Sequence, residues 1–313
     1  MSLTLWILTF VLALAVLLKA SNVLVSGASK LVKALGWSSF FIGMTVLAIG
    51  TSLPELASSL WAVQSNTTSL VASNVLGSNI ANILLILGLG AVAYKGINSN
   101  ESSRSLIGLL LGSTFLLIVT IYDGTVQWFE GLVLIGAFVI TLLHNAAEYR
   151  EGRFEALKNW FNPESFDAKL LLTLILSGAA TLASSYFVVK ALEEIASKAN
   201  LMPSVLGASL LALGTSLPEL AVTFAALKKG KVDMAIGTLI GSNLFNATLV
   251  LGLPSLFHTL TVTGDTLTLG LPFLLMSTLL LIFALSQRKL SSYEGAIYVL
   301  LYGVFSFQLL SSF

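Results

Sequence analysis

Glu55 and Glu219 each lie inside a long apolar stretch, within the same seven-residue string: GTSLPEL occurs at Gly50–Leu56 and again at Gly214–Leu220, an offset of 164 residues. A charge at the centre of a membrane helix costs about 2.5–3.5 kcal/mol on insertion scales, and such residues are usually functional. The alternative, a protonated glutamate or one bonded to a neighbouring helix, loses force when two occupy matching places in a repeat. Helical spacing puts Ala48, Thr51, Ser52 and Glu55 on one face, and Ala212, Thr215, Ser216 and Glu219 repeat that face. Pro54 and Pro218 lack an N–H and crowd the carbonyls of Gly50 and Gly214, so each helix should break there. A carbonyl freed inside a bilayer needs a partner, and a cation is a good one. A plain proline kink would leave the same trace.

A second string follows each copy at the same offset. GSNIAN at Gly77–Asn82 recurs as GSNLFN at Gly241–Asn246. Ser78 with Asn82, and Ser242 with Asn246, share helix faces and offer neutral oxygen ligands. Serine and asparagine also join membrane helices by hydrogen bonds, with glycine permitting close approach, so both readings stay open. Asn79 and Asn243 lie off that face and read as packing or capping residues. Together the candidates supply two carboxylates, hydroxyls, amides and carbonyls, without His, Cys or Met. An all-oxygen set suits a hard cation; Ca2+ takes roughly six to eight oxygens in flexible geometry, whereas Mg2+ tends to stay hydrated. Two carboxylates carry the charge that one Ca2+ neutralises. His144 and His258 fall near the ends of apolar stretches and read as interfacial.

The elements that position these residues are membrane helices. The chain has 313 residues, 56% hydrophobic and 10% charged, with mean hydropathy +0.93; soluble domains carry about 25% charged residues. Net charge is +1, which gives no sign of nucleic-acid binding, and the absence of cysteine excludes disulfides and thiolate metal sites. Apolar segments predict ten spans at about 3–30, 38–63, 70–93, 104–122, 127–146, 169–196, 203–227, 232–257, 266–286 and 293–311. The first lacks the basic start of a signal peptide and reads as a retained helix. The stretch Glu148–Lys169 holds nine charged residues and Pro163, and is the one linker of note. The organisation expected is a repeat over 1–147, a linker over 148–168 and a second repeat over 169–313. Five spans per repeat place the second upside down relative to the first, an all-α inverted-repeat architecture with its site at the repeat interface.

Charge bias sets the orientation. Lys30 and Lys33, Lys95 and Arg104, the linker, Lys228, Lys229 and Lys231, and Arg288 and Lys289 all fall on one side. The other side receives Lys190 and Lys198, and Lys19 lies within the first span. The basic side is therefore cytoplasmic, with both termini outside a cell membrane.

GTSLPEL and GSNxxN, each present twice, resemble the cation/calcium exchanger superfamily, most closely its sodium/calcium exchanger branch, across essentially the whole chain. The resemblance implies a secondary antiporter, not an enzyme, with no cofactor and with Ca2+ and Na+ as substrates. It implies that Glu55 and Glu219 are shared Ca2+ and Na+ ligands and that Thr51 and Thr215 add oxygens to Ca2+. Ala48, Ser52, Ser78, Ala212, Ser216 and Ser242 would form flanking Na+ sites, and Asn82 and Asn246 would close the centre. Archaeal and potassium-dependent relatives carry Asp at the position of Asn246, whereas the potassium-independent animal branch carries Asn, so the resemblance implies K+-independence here. The proton/calcium branch has a GNAxEL-like string in place of GTSLPEL. The linker is too short for the Ca2+-sensing domains of animal exchangers. Exchange of three Na+ for one Ca2+ would be electrogenic, because the Ca2+-loaded site is neutral and the Na+-loaded site carries one positive charge. Alternating access would follow from the long spans 3–30 and 169–196 sliding past the rest, in a chain functional as a monomer in the bilayer.

Three rivals remain at this stage. Protons could replace Na+ in the same fold, although the additional hydroxyls favour Na+. An intramembrane hydrolase would place two Asp in facing spans, and no Asp here falls mid-span. A passive cation channel fits two broken, inverted motifs less well than alternating access does.

Overall fold

The computed structural model describes residues 2–98, 104–148, 167–198, 214–264 and 266–311. Its helices follow the apolar segments closely. They are α1 (Leu3–Leu35), α2 (Ser39–Gln64), α3 (Ser69–Ala93), α4 (Arg104–Ile121), α5 (Trp128–Glu148), α6 (Ala168–Lys198), α7 (Leu217–Lys228), α8 (Val232–Ser255), α9 (Thr266–Ser286) and α10 (Ser292–Ser311). Among them α1, α2, α3, α8, α9 and the Ala168–Leu192 part of α6 are long and apolar enough to cross a membrane. The seventh expected span, 203–227, is described from Gly214 onward, and nearly all of the expected linker lies outside the described residues.

Local chemistry fixes the helix ends. Ser2 caps α1 by accepting from the Leu5 N–H, and Gly36 ends it in the left-handed conformation at φ 65°. At the start of α10, Ser291 and Glu294 form a capping box: the Ser291 N–H donates to Glu294 Oε2 at 2.7 Å, and the Glu294 N–H donates to Ser291 Oγ at 3.3 Å. The Gln127 N–H donates likewise to Glu130 Oε2 at 2.8 Å, 164 residues earlier.

The core is built on close backbone contact. A Cβ on Gly237 would run into the Phe40 carbonyl, and one on Gly43 into the Met234 carbonyl, so α2 and α8 touch along their backbones. Gly88 of α3 abuts Gly295 of α10, and Gly131 of α5 abuts Gly252 of α8. These two pairs correspond at the 164-residue offset, with partners exchanged. Small residues permit such approach between membrane helices, where lipid supplies no hydrophobic drive to association.

Among the described residues four short strands tie the loops. β1 (Ile97–Asn98) pairs antiparallel with β4 (Lys289–Leu290), and β2 (Thr125–Val126) pairs antiparallel with β3 (Leu260–Thr261). Each pair joins a loop of the first half to a loop of the second. The two pairs also correspond under the offset, displaced by one residue at β3.

Helical regularity fails at particular places. Wider π-type turns occupy Gly43–Leu47, Ala81–Leu87, Asn246–Val250 and Thr266–Gly270. Such turns insert a residue and rotate the face beyond them, and they gather at functional positions. Asn82 and Asn246 sit in two of them.

Candidate ion-binding site

Both glutamates are fully buried. α2 breaks at Ser52 (φ −88°, ψ 8°), and Ser216 repeats the break before α7 (φ −86°, ψ 4°). Pro54 and Pro218 then stand in the first turns of Leu53–Gln64 and α7, where a missing N–H costs nothing. Glu55 and Glu219 occupy those same first turns, where the positive end of the peptide dipoles favours a carboxylate. One motif thus fixes the break, the proline and the acid together.

The two halves meet across this centre. Ser52 Oγ donates to Glu219 Oε1 at 2.9 Å, and Ser242 Oγ donates to the same oxygen at 3.4 Å. Thr51 Oγ1 lies 3.4 Å from Ser242 Oγ, and Thr215 Oγ1 lies 3.5 Å from Ser78 Oγ. Exchange of the repeats converts one of these pairs into the other. Asn79 Nδ2 donates to the Asn243 carbonyl at 3.1 Å, and Asn243 Nδ2 donates to the Asn79 carbonyl at 3.2 Å. This reciprocal clasp confirms the packing role expected of both asparagines. Asn82 Nδ2 donates to Asn243 Oδ1 at 2.9 Å.

Several buried polar atoms have no hydrogen-bond partner among the described residues. They include both carboxylate oxygens of Glu55, Oε2 of Glu219, Oγ of Ser216, Oδ1 of Asn82 and both amide atoms of Asn246. Most buried polar groups in proteins are paired, so this set of unpaired oxygens on the motif residues has the chemistry of a cation site. Ala48 is fully buried and a Cβ on Gly241 would meet its methyl group, so Ala48 borders α8. Ala212 lies outside the described residues. Among the described residues no group of three or more His, Cys, Asp or Glu forms, and His144 and His258 are exposed.

The structure also brings in residues that the sequence reading missed. Ser185 of α6 donates to the Gly214 carbonyl at 3.4 Å. A side chain therefore satisfies one carbonyl that Pro218 was expected to leave for a cation. Thr215 Oγ1 reaches Asn74 Oδ1 at 3.5 Å, and Asn74 Nδ2 donates to Ser58 at 3.2 Å, a polar track from the centre to an exposed hydroxyl. Ser59 and Thr223, one turn beyond each glutamate, are buried and their hydroxyls lack partners. The offset held the signal: Ser185 corresponds to Ser21 and Ser59 to Thr223, polar residues at matched positions of apolar helices.

A multi-pass membrane bundle around two buried glutamates and an oxygen-lined centre defines a cation transporter. The sodium/calcium exchanger protein family matches this chain over residues 5–146 and again over 169–310, and the chain belongs to that family. It is similar to sodium/calcium exchanger MaX1 of Methanosarcina acetivorans, with 32% identity over 95% of this chain and 96% of the relative. It is also similar to inner membrane protein YrbG of Escherichia coli, with 33% identity over 94% and 93%. Among solved structures it resembles the sodium-calcium exchanger NCX_Mj soaked with 10 mM Na+ and zero Ca2+: TM-score 0.83, 30% identity, 97% of this chain and 98% of that one. The protein is a transporter for cation/Ca2+ exchange, not an enzyme, and Na+ and Ca2+ are the ions that fit its family.

Proposed function

We propose that this protein exchanges Na+ for Ca2+ by alternating access at the centre between Glu55 and Glu219. The observation that carries the reading is the Ser52–Glu219 hydrogen bond. It places the break of one repeat against the acid of the other, so neither half holds a complete site. Glu55 and Glu219 bind either ion, Thr51 and Thr215 add oxygens for Ca2+, and Ala48, Ser52, Ser78, Ala212, Ser216 and Ser242 border the Na+ positions. Asn82 and Asn246 close the centre. All these residues belong to one chain, which supports function as a monomer.

The ten helices are read as five spans in 1–147 and five inverted spans in 169–313, joined by a cytoplasmic linker over 148–168. The loop pairings support the inversion. β1 with β4, and the Lys229–Ser26 hydrogen bond, join segments assigned to the basic side; β2 with β3, and Thr68 with Thr261, join segments assigned to the opposite side. The orientation assigned is a cell membrane with both termini outside.

Burial supports an outward-facing state. The polar track through Asn74 and Ser58 leads from the centre toward the outer side, while its counterparts on the other half, Thr238 and Val222, are fully buried. Sliding of α1 and α6 past the remaining helices would invert that difference.

A neutral amide at Asn246 leaves the site with two negative charges, which supports electrogenic, K+-independent exchange. The decisive experiment is Ca2+ flux driven by a Na+ gradient in proteoliposomes, at clamped voltage and with K+ present or absent. Flux coupled to Na+, accelerated by potential at up to about 2.3 kcal/mol per charge per 100 mV and indifferent to K+, is the expected result. Ca2+ flux without a counter-ion would establish a channel, and flux driven by a pH gradient a proton exchanger.

A further inference from the structure

A cavity of about 410 Å3 lies between α1, the start of α6 and the loop joining α7 to α8. Lys19, Lys30, Lys169 and Lys229 line it, with Asp167 as the one carboxylate among the described residues. Asp167 Oδ1 accepts from the Leu170 N–H at 2.9 Å and caps α6, and its single charge leaves the described lining strongly positive. Lys229 Nζ donates to the neutral Ser26 Oγ at 2.8 Å. Among the described residues none of the four ammonium groups is paired with a carboxylate. Four like charges from three elements around one cavity repel one another unless an anion joins them.

The surroundings say which kind of anion. Lys19 and Lys30 are separated by about 16 Å along the α1 axis at 1.5 Å per residue, so the cavity is elongated. Its wall includes the apolar Val23 and Leu170. Exposed apolar side chains continue from it along α1 at Val16 and Leu18, and along α6 at Leu171, Leu172 and Ile175. A free phosphate would use the lysines and leave that apolar path without purpose. A phospholipid uses both: its phosphate lies among the lysines and its acyl chains run along α1 and α6.

We propose that this cavity binds the headgroup of an anionic phospholipid, with the phosphodiester bridging Lys30 and Lys169 to Lys229. The bridge has a consequence that rests on the transport reading above. Lys30 and Lys169 belong to the α1–α6 pair and Lys229 to the α7–α8 loop, so a bound lipid holds α1 against α7. A ligand shifts a conformational equilibrium by its preference for one state, and this one favours the arrangement seen here.

Binding is measured first, without reference to transport. Full-length protein is stripped of lipid and titrated in detergent with a short-chain phosphatidylglycerol, with the zwitterionic phosphatidylcholine of equal chain length and with inorganic phosphate, followed by native mass spectrometry. Phosphatidylglycerol should bind at least tenfold tighter than phosphatidylcholine. At about 1 kcal/mol per basic residue near a membrane surface, each lysine is worth roughly fivefold, so combining Lys30→Gln, Lys169→Gln and Lys229→Gln should weaken binding about a hundredfold. The three Lys→Arg substitutions should retain most of it, and Lys95→Gln with Lys289→Gln, outside the cavity, should leave it unchanged. Equal affinity for the two lipids, unchanged binding in the triple Gln variant, or full competition by inorganic phosphate at equal concentration would each overturn the lipid site. Transport is then measured in vesicles with and without phosphatidylglycerol. A lipid-dependent Na+/Ca2+ exchange rate that disappears in the triple Gln variant supports the coupling, and a rate indifferent to lipid overturns the coupling while leaving the binding result intact.

Discussion

The segment Leu53–Gln64 and helix α7 open with the same five residues, LPELA, yet the protein treats them differently. In the first, Leu53 is 44% exposed and Trp61 70% exposed, and Ser58 is open. In the second, Ala221, Val222, Thr223, Ala225, Ala226 and Leu227 are all buried. The difference lies in their cover. α1 packs along α7, and Ser185 of α6 bonds the Gly214 carbonyl at its break. The Leu53–Gln64 segment has no comparable cover from α1 or α6 among the described residues, and Ser21, the counterpart of Ser185, bonds its own helix at the Leu17 carbonyl instead. The acids differ in the same sense: Glu219 accepts from Ser52 and Ser242, whereas among the described residues neither oxygen of Glu55 has a partner at hydrogen-bond distance. Under the alternating access proposed above, equal sequence with unequal surroundings is what one state looks like, each half taking the other's part in the opposite state.

The largest effect expected is the same for both halves. Glu55→Gln and Glu219→Gln should each reduce Na+-driven Ca2+ flux in proteoliposomes at least a hundredfold while the protein still purifies folded, because each removes half the charge of a low-dielectric site. Near-normal flux in either variant would break the shared-site reading.

Changing Asn246 tests the charge of the centre. Asn246→Asp brings the site to three negative charges, which favours admission of a proton or a monovalent cation beside Ca2+. Ca2+ flux in that variant should gain a dependence on K+ or on pH that the parent protein lacks. A parent protein that itself requires K+ would remove Asn246 as the determinant of that property.

Ser52→Ala and Ser216→Ala separate the two acids. Hydrogen bonds to charged groups are worth about 1.5–3 kcal/mol, so losing the Ser52 bond should raise the Na+ or Ca2+ concentration needed for half-maximal flux about tenfold or more. Ser216 Oγ has no such bond among the described residues, and its loss should cost less. Equal effects would mean that the opposite state, with the roles exchanged, limits the cycle.

The difference in cover should be visible to a small thiol reagent. The chain has no cysteine, so Ser58→Cys should label readily from outside and Val222→Cys slowly from either side. Ser65→Cys and Thr263→Cys should label from outside, and Asn159→Cys from the cytoplasmic side; the reverse pattern would invert the assigned orientation.

The smallest effect is expected at the breaks. Ser185→Ala removes one neutral hydrogen bond, worth about 0.5–1.5 kcal/mol, and should shift labelling at Val222→Cys upward by severalfold at most. Ser21→Ala should leave it unchanged.

The sequence by itself determined the helices, their repeat and the acids at their centre. A bilayer leaves the backbone no option but to satisfy itself within the helix, so the apolar segments are helical wherever they fall among the described residues. Proline chemistry is equally local, and both breaks fell just before the prolines that were expected to cause them. The tertiary structure decided what lay beyond a single turn. The π-type turns at Asn82 and Asn246 rotate the faces that regular helical spacing would draw. Ser185 became the partner of Gly214 only because α6 passes beside it. The inequality of Glu55 and Glu219 could not be read from identical strings, since it arises from which hydroxyls of α2 and α8 the packing brings against each acid.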